Sequence, residues 1–251
     1  VDAPSGQVFA FDARSGKLLG MVSTGFLGNF TLSAKADEMY VVSTHNSRTW
    51  RGERVDVLEV HDTTSLAFKY EVVLPTKRAQ ALNYRGLVRA TGNGRFVLVQ
   101  NATPATSVTV VDLQQRKVAG EVPTPGCYLV YPSATHGSRF STVCGDGKVA
   151  TITLDDNGQV GDRQISDKLF DADEDAWFQH AEHIGDRYWF LSFKGTLTEL
   201  DLSGPVAAVK AKRLLAEGAV FSNARYRHSN CETGPGHAVL LSGRHARDNG
   251  I

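Results

Sequence analysis

The sequence is short of most features that would announce a chemistry. Its 251 residues hold only three cysteines, Cys127, Cys144 and Cys231, and no Cys-x-x-Cys. No His-Glu-x-x-His, Gly-x-Ser-x-Gly elbow or phosphate-binding glycine loop occurs, which excludes the commonest zinc, hydrolase and nucleotide signatures. Net charge is absent as well. The 27 Lys and Arg balance 27 Asp and Glu, so no global field favours nucleic acid or an anionic membrane surface. No apolar run approaches the roughly 20 residues that a membrane helix needs. The chain opens at Val1 without an initiator Met, and Val8 already falls in a strand pattern. It therefore reads as processed or as a fragment.

What is present is a repeat. Apolar residues make up 41% of the chain and charged residues 22%, enough material for a core and no signature of disorder. The stretch Ser107-Val-Thr-Val-Val-Asp-Leu113 alternates and then ends on an aspartate, which predicts a half-buried strand running into a turn. Similar phrases end at Asp12, Asp62, Asp155 and Asp201, so the aspartates return at intervals of 50, 50, 43 and 46 residues. Beside them stand strands with an aromatic or Val motif: Met39–Ser43, Arg95–Val99, Arg139–Val143 and Arg187–Leu191. About four short strands per repeat with little helix describe an all-β fold, a β-propeller. Five such units are represented over residues 1–213, as a partial propeller in a single domain. Residues 214–251, rich in Ser, Asn, Arg, His and Gly, read as an atypical tail.

Several local readings accompany this one. Val8–Asp12 and Lys17–Val22 predict a hairpin around Gly16, and Thr24–Phe30 a glycine-framed loop or strand start that holds Phe26. Thr44–Arg54 reads as a polar loop; its Arg48, Trp50, Arg51 and Arg54 are either solvated or a grip on a partner surface. The acidic run Asp171–Asp175 lacks the glycine and final glutamate of a calcium loop and reads as solvated. His180 and His183, with Glu182 between them, read as a surface loop rather than a metal site. Cys127 and Cys144 flank two neighbouring strand segments, either as a disulfide or as two buried thiols. No residue stands out as catalytic and none as a metal ligand.

Longer strings carry a resemblance. Lys17–Val22, Thr24–Asn29, Arg51–Arg54 running into Asp56–Asp62, Leu74–Arg78, Leu82–Leu87, Gln100–Ser107, Gly126-Cys127 and Cys144–Gly147 follow one another in register. Together they resemble the large (heavy) subunit of the bacterial quinoprotein amine dehydrogenases. Lys77-Arg78, Leu82–Tyr84 and Asn101–Thr106 are most similar to the aromatic amine dehydrogenase branch, while Phe26-Leu27 with Asn29 also resembles the methylamine branch. The resemblance fades after about Leu215, as in a truncated chain.

The resemblance implies a seven-bladed propeller in the periplasm, paired with a small disulfide-rich subunit as an α2β2 heterotetramer. The tryptophan tryptophylquinone cofactor and the catalytic groups would lie on that small (light) subunit, with no cofactor on this chain. Electrons from a primary amine, an aromatic one on the closer branch, would pass to a copper protein. The family's gating phenylalanine corresponds to Phe26, beside Leu27 in the substrate channel. The arginine segment, Arg48, Trp50, Arg51 and Arg54, would meet the partner subunit. The family's paired cysteines correspond to Cys127 and Cys144. The alternative is a stand-alone or truncated propeller scaffold that binds a partner without catalysis.

Overall fold

The computed structural model describes residues 6–49, 51–80 and 84–214. Trp50, Leu82, Asn83 and the segment read as a tail, from residue 215 onward, lie outside the described residues.

Among the described residues eighteen strands follow one another. A two-stranded sheet joins β1 (Gly6–Phe11) to β2 (Leu18–Thr24). Four four-stranded sheets follow. The first is β3 (Phe26–Leu32), β4 (Glu38–Arg48), β5 (Arg51–Asp62) and β6 (Phe68–Leu74). The second is β7 (Val88–Ala90), β8 (Phe96–Asn101), β9 (Ser107–Asp112) and β10 (Lys117–Pro123). The third is β11 (Cys127–Pro132), β12 (Arg139–Cys144), β13 (Val149–Leu154) and β14 (Val160–Ile165). The fourth is β15 (Glu182–Ile184), β16 (Arg187–Leu191), β17 (Thr196–Asp201) and β18 (Ala208–Leu214). Each sheet is an antiparallel meander in chain order.

The repeated aspartate has one job throughout. Asp12 Oδ1 accepts from the backbone N–H of Ser15 at 2.7 Å, and Asp62 does the same for Ser65 at 2.7 Å. Asp112 takes the N–H groups of Gln114 and Gln115, each at 2.9 Å. Asp155 takes those of Asn157 and Gln159 at 2.8 Å, and Asp201 that of Ser203 at 2.9 Å. The carboxylate thus satisfies donors that the turn would otherwise strand. In the four complete sheets this turn joins the third strand to the fourth. By the same mark β1 is a third strand and β2 a fourth.

The pairings expected from sequence are present. Met39–Ser43 lies in β4, bonded to β5, and Arg95–Val99, Arg139–Val143 and Arg187–Leu191 pair with β9, β13 and β17. One expectation is corrected. Ser107–Asp112 is buried at all six positions, not half-buried. Phe96 and Leu98 of β8 with Val108 and Val110 of β9 enter the core shared with the third sheet. Val97, Val99 and Val111 enter the core shared with the first complete sheet. A strand sandwiched between two sheets has no wet face, so its period of two sorts residues between two cores.

Each core lies between sheets that are neighbours in sequence. The last contains Tyr131, Val143, Trp177, Tyr188, Phe190 and Leu200, with Trp177 stacked on Phe170 at 4.1 Å and on Phe190 at 4.9 Å. The outer strand β14 is exposed at every position. The first strands β3, β7 and β11 lie side by side, and β15 is met by Arg89 of β7, at His183, and by Arg85 in the 3-10 turn just before β7, at Glu182. They converge on a common centre.

Cys127 and Cys144 form a disulfide between directly paired positions of β11 and β12. At the opposite end of the β11–β12 hairpin, Asp186 is buried and ties the fourth sheet to the third. Its carboxylate accepts from Ser133 Oγ at 2.7 Å, from the Thr135 hydroxyl and from the Ala134 N–H. Burial opposes its ionisation, but these hydrogen bonds outweigh burial and hold its pKa below the usual carboxylate value. A carboxyl with a depressed folded pKa contributes stability that is present above its unfolded pKa, about 4, and lost as pH falls through the folded value. Below about pH 4 the melting temperature is therefore expected to fall. Asp186→Asn should flatten that decline in a thermal scan across pH; an unchanged slope would remove Asp186 as a contributor.

Candidate functional site

The segment around Phe26 is a strand with a bulge, built by two glycines and one buried arginine. Phe26 pairs with Thr44 and Asn29 with Val42, so Leu27 and Gly28 together oppose Ser43 alone. Leu27 takes a left-handed conformation, φ 48°. A Cβ on Gly25 would sit 2.4 Å from the Thr44 carbonyl oxygen, and one on Gly28 would sit 2.3 Å from Thr24 Oγ1. Neither position admits a side chain without displacing backbone or a buried threonine. The first strand of the third sheet bulges in the same way, with Leu129 at φ 64°. There the leucine is fully buried in the core, whereas Phe26 and Leu27 are only half-buried.

Arg78 holds this bulge from beneath. Its Nη2 donates to the carbonyl oxygens of both Phe26 and Leu27 at 2.7 Å. Its Nε donates to Thr44 Oγ1 at 2.9 Å and lies 4.0 Å from Asp56 Oδ1. Thr44 in turn donates to Asp56 at 2.6 Å. Arg54 donates to the same carboxylate from Nε and Nη2, at 3.0 and 2.7 Å. Asp56 is wholly buried and Arg78 only 3% exposed. Burial pulls the Arg78 guanidinium down to about 10, against the pull of Asp56, and it stays cationic at neutral pH.

Above this cluster the sheet narrows. β3 stops at the Phe26–Thr44 rung and β6 at the Asp56–Leu74 rung, but β4 and β5 continue to the pair Arg48–Arg51. Thr44–Arg54 is therefore an overhanging hairpin rather than the loop expected from its polarity. At about 3.4 Å per residue, Arg48 stands about 14 Å beyond the Phe26 rung. Arg48 and Arg51 are exposed at its tip; Arg54 lies lower, committed to Asp56. Thr49 and Gly52 turn the chain with φ of 57° and 99°. Phe26, Leu27 and the arginine hairpin thus share one end of one sheet.

His180 and His183 take structural roles. His180 packs on Tyr84 at 4.6 Å, and His183 stacks on Tyr188 at 4.7 Å, within a short strand where a loop was expected. Asp171 closes its own turn, accepting from Asp173 and Glu174 N–H groups at 3.1 and 3.2 Å. Among the described residues no cluster of three or more His, Cys, Asp or Glu is arranged to hold a metal. Sequence reasoning missed the roles of Arg78, Asp56 and Thr44. The only available signal was Arg78 itself, a charged residue just after the proline that ends β6.

Residues 3–230 match the family model described as methylamine dehydrogenase heavy chain (MADH). The chain belongs to this family. The match continues past residue 214, into the segment read as a tail. Among curated relatives, the methylamine dehydrogenase heavy chain of Methylophilus methylotrophus is 29% identical over 168 residues, 67% of this chain and 40% of the relative. That of Paracoccus versutus is 25% identical over 209 residues, 82% of this chain and 48% of the relative. The chain spans less than half the length of these heavy chains. Among solved structures, a dihydro-heme d1 dehydrogenase NirN in complex with DHE superposes with a TM-score of 0.55 at 16% identity, covering 84% of this chain and 42% of that one. The Dos1 propeller gives 0.51 at 12% identity, covering 83% and 54%. These likenesses show the fold: a partial β-propeller, as the heavy-chain reading requires.

Proposed function

We propose that this chain is the large, cofactor-free subunit of a periplasmic amine dehydrogenase that deaminates primary amines, aromatic ones in preference, to aldehydes. Family membership carries the reading. In it, a small light subunit bearing tryptophan tryptophylquinone docks on the propeller in an α2β2 assembly. The quinone takes two electrons from the amine, and a copper protein receives them.

This chain's own residues position rather than react. An isolated two-stranded hairpin is marginal in water, so the β4–β5 overhang, with no strand on either edge among the described residues and tipped by Arg48 and Arg51, suits a docked partner surface. Trp50 and Arg54 belong to the same proposed contact. The Arg78 clamp fixes the backbone of Phe26 and Leu27, so their half-buried side chains would wall the path of the amine. The leaning toward aromatic amines rests on Lys77-Arg78 and Asn101–Thr106. Trp177 stacks in the core on Phe170 and Phe190.

With the complex in hand, Phe26→Ala is expected to change the ratio of kcat/KM for 2-phenylethylamine over methylamine by about ten-fold or more, the scale of altered apolar contact in a substrate pocket. An unchanged ratio would remove Phe26 from the substrate path.

A further inference from the structure

The centre where the first strands converge has a chemistry that amine oxidation leaves unused. A cavity of about 840 Å³ lies there, lined by residues of β1, β3, Tyr84–Gly92, Pro132–Ala134 and His183. Phe26 and Leu27 do not line it. Much of the wall is apolar: Val8, Phe30, Leu32, Ala90 and Pro132. Among the described residues Phe30 and Leu32 remain 49% and 45% exposed.

The charged part of the lining has one sign. Arg85, Arg89 and His183 border the cavity, and no carboxylate does among the described residues. Arg85 is already matched, with both Glu182 oxygens 2.9 Å from its Nη1. Arg89 is different. Its Nη2 lies 2.7 Å from His183 Nε2, and it hydrogen-bonds Tyr188. His183 Nδ1 sits 3.2 Å from the Gly185 carbonyl oxygen, so Nδ1–H donates there and Nε2 accepts from Arg89. The ring is then neutral, as its burial and the neighbouring Arg89 favour by holding its pKa down. Both partners of Arg89 are uncharged, and no ion pair to it exists among the described residues.

A half-buried guanidinium with spare donors and no counter-anion is matched by a planar carboxylate, which it grips through two parallel hydrogen bonds. An inorganic anion would leave the apolar wall wetted, and an amine would meet two arginines. We infer that this central cavity binds a small organic carboxylate, its anionic group on Arg89 and its apolar tail against Val8, Phe30 and Leu32. The site requires neither amine nor light subunit, so it stands or falls apart from the subunit reading.

Calorimetric titration of the full 251-residue chain with phenylacetate tests it, with 2-phenylethanol, 2-phenylethylamine and sodium sulfate as comparison ligands. Phenylacetate is expected to bind about ten-fold or more tightly than the alcohol, and neither the amine nor sulfate should compete with it. Arg89→Gln should weaken phenylacetate about ten-fold or more, and Arg89→Lys should lose less. Equal binding of acid and alcohol would overturn the proposal, as would sulfate competing as well as phenylacetate, or binding that survives Arg89→Gln. These wild-type comparisons decide the matter even if a variant fails to fold.

Discussion

Replacing Arg78 with methionine is expected to destabilise the chain by about 3–5 kcal/mol, the cost of breaking a buried ion pair from one side. Asp56 is wholly buried, and it would keep only Arg54 and Thr44. The carbonyl oxygens of Phe26 and Leu27 would also lose the donor they share at 2.7 Å. Two kinds of buried acceptor would then be under-satisfied at once. Urea unfolding followed by circular dichroism reads the loss as a lower midpoint at unchanged slope. Pairing Arg78→Met with Asp56→Leu should cost less than the two single changes summed, because the second removes the charge that the first strands. A loss under about 1 kcal/mol would mean that water already screens the cluster, as at surface pairs. The functional consequence is local. Without the clamp, Leu27 has little reason to hold a left-handed conformation, so cleavage between Thr24 and Asn29 by a dilute protease should accelerate.

Loss of the disulfide is the second large effect. Cys127 and Cys144 are 17 residues apart, and closing a loop of that size stabilises by about 3 kcal/mol in the chain-entropy view. Cys127→Ala with Cys144→Ala should lower stability by about that amount, with a further decrement because both side chains lie in the core between the second and third sheets. Reductant should bring the wild type down toward the double variant, stopping short of it by that packing decrement, and leave the variant unmoved. Equal stability with and without reductant would show that strand pairing alone holds β11 to β12. A disulfide at this place suits an oxidising compartment, in line with the proposed periplasmic location.

The repeat was legible in sequence because a turn needs its donors satisfied. Asp12, Asp62, Asp112, Asp155 and Asp201 recur for that reason, and their strands were visible beside them. Outer strands were not. β14 reads Val-Gly-Asp-Arg-Gln-Ile and is exposed throughout, so no apolar alternation marks it. β15 has three residues, too few to show a period. The β4–β5 overhang looked like a loop because its residues past Thr44 are polar. They are polar because no sheet covers them, yet the ladder continues. The Phe26–Leu27 segment was visible from its glycines and from family resemblance. Its clamp was not, since Arg78 comes from a segment more than fifty positions away in sequence and only folding buries it. The same holds for Arg89 and His183, brought together from two sheets.

The most direct test of the heavy-subunit role is co-expression of this chain with a light subunit of the methylamine dehydrogenase family, followed by purification and amine-dependent dye reduction. The expected result is a stable complex that oxidises 2-phenylethylamine in preference to methylamine, with dye reduction lost when the light subunit is omitted. A folded chain that purifies alone, with no amine-dependent dye reduction in the mixture, would contradict it.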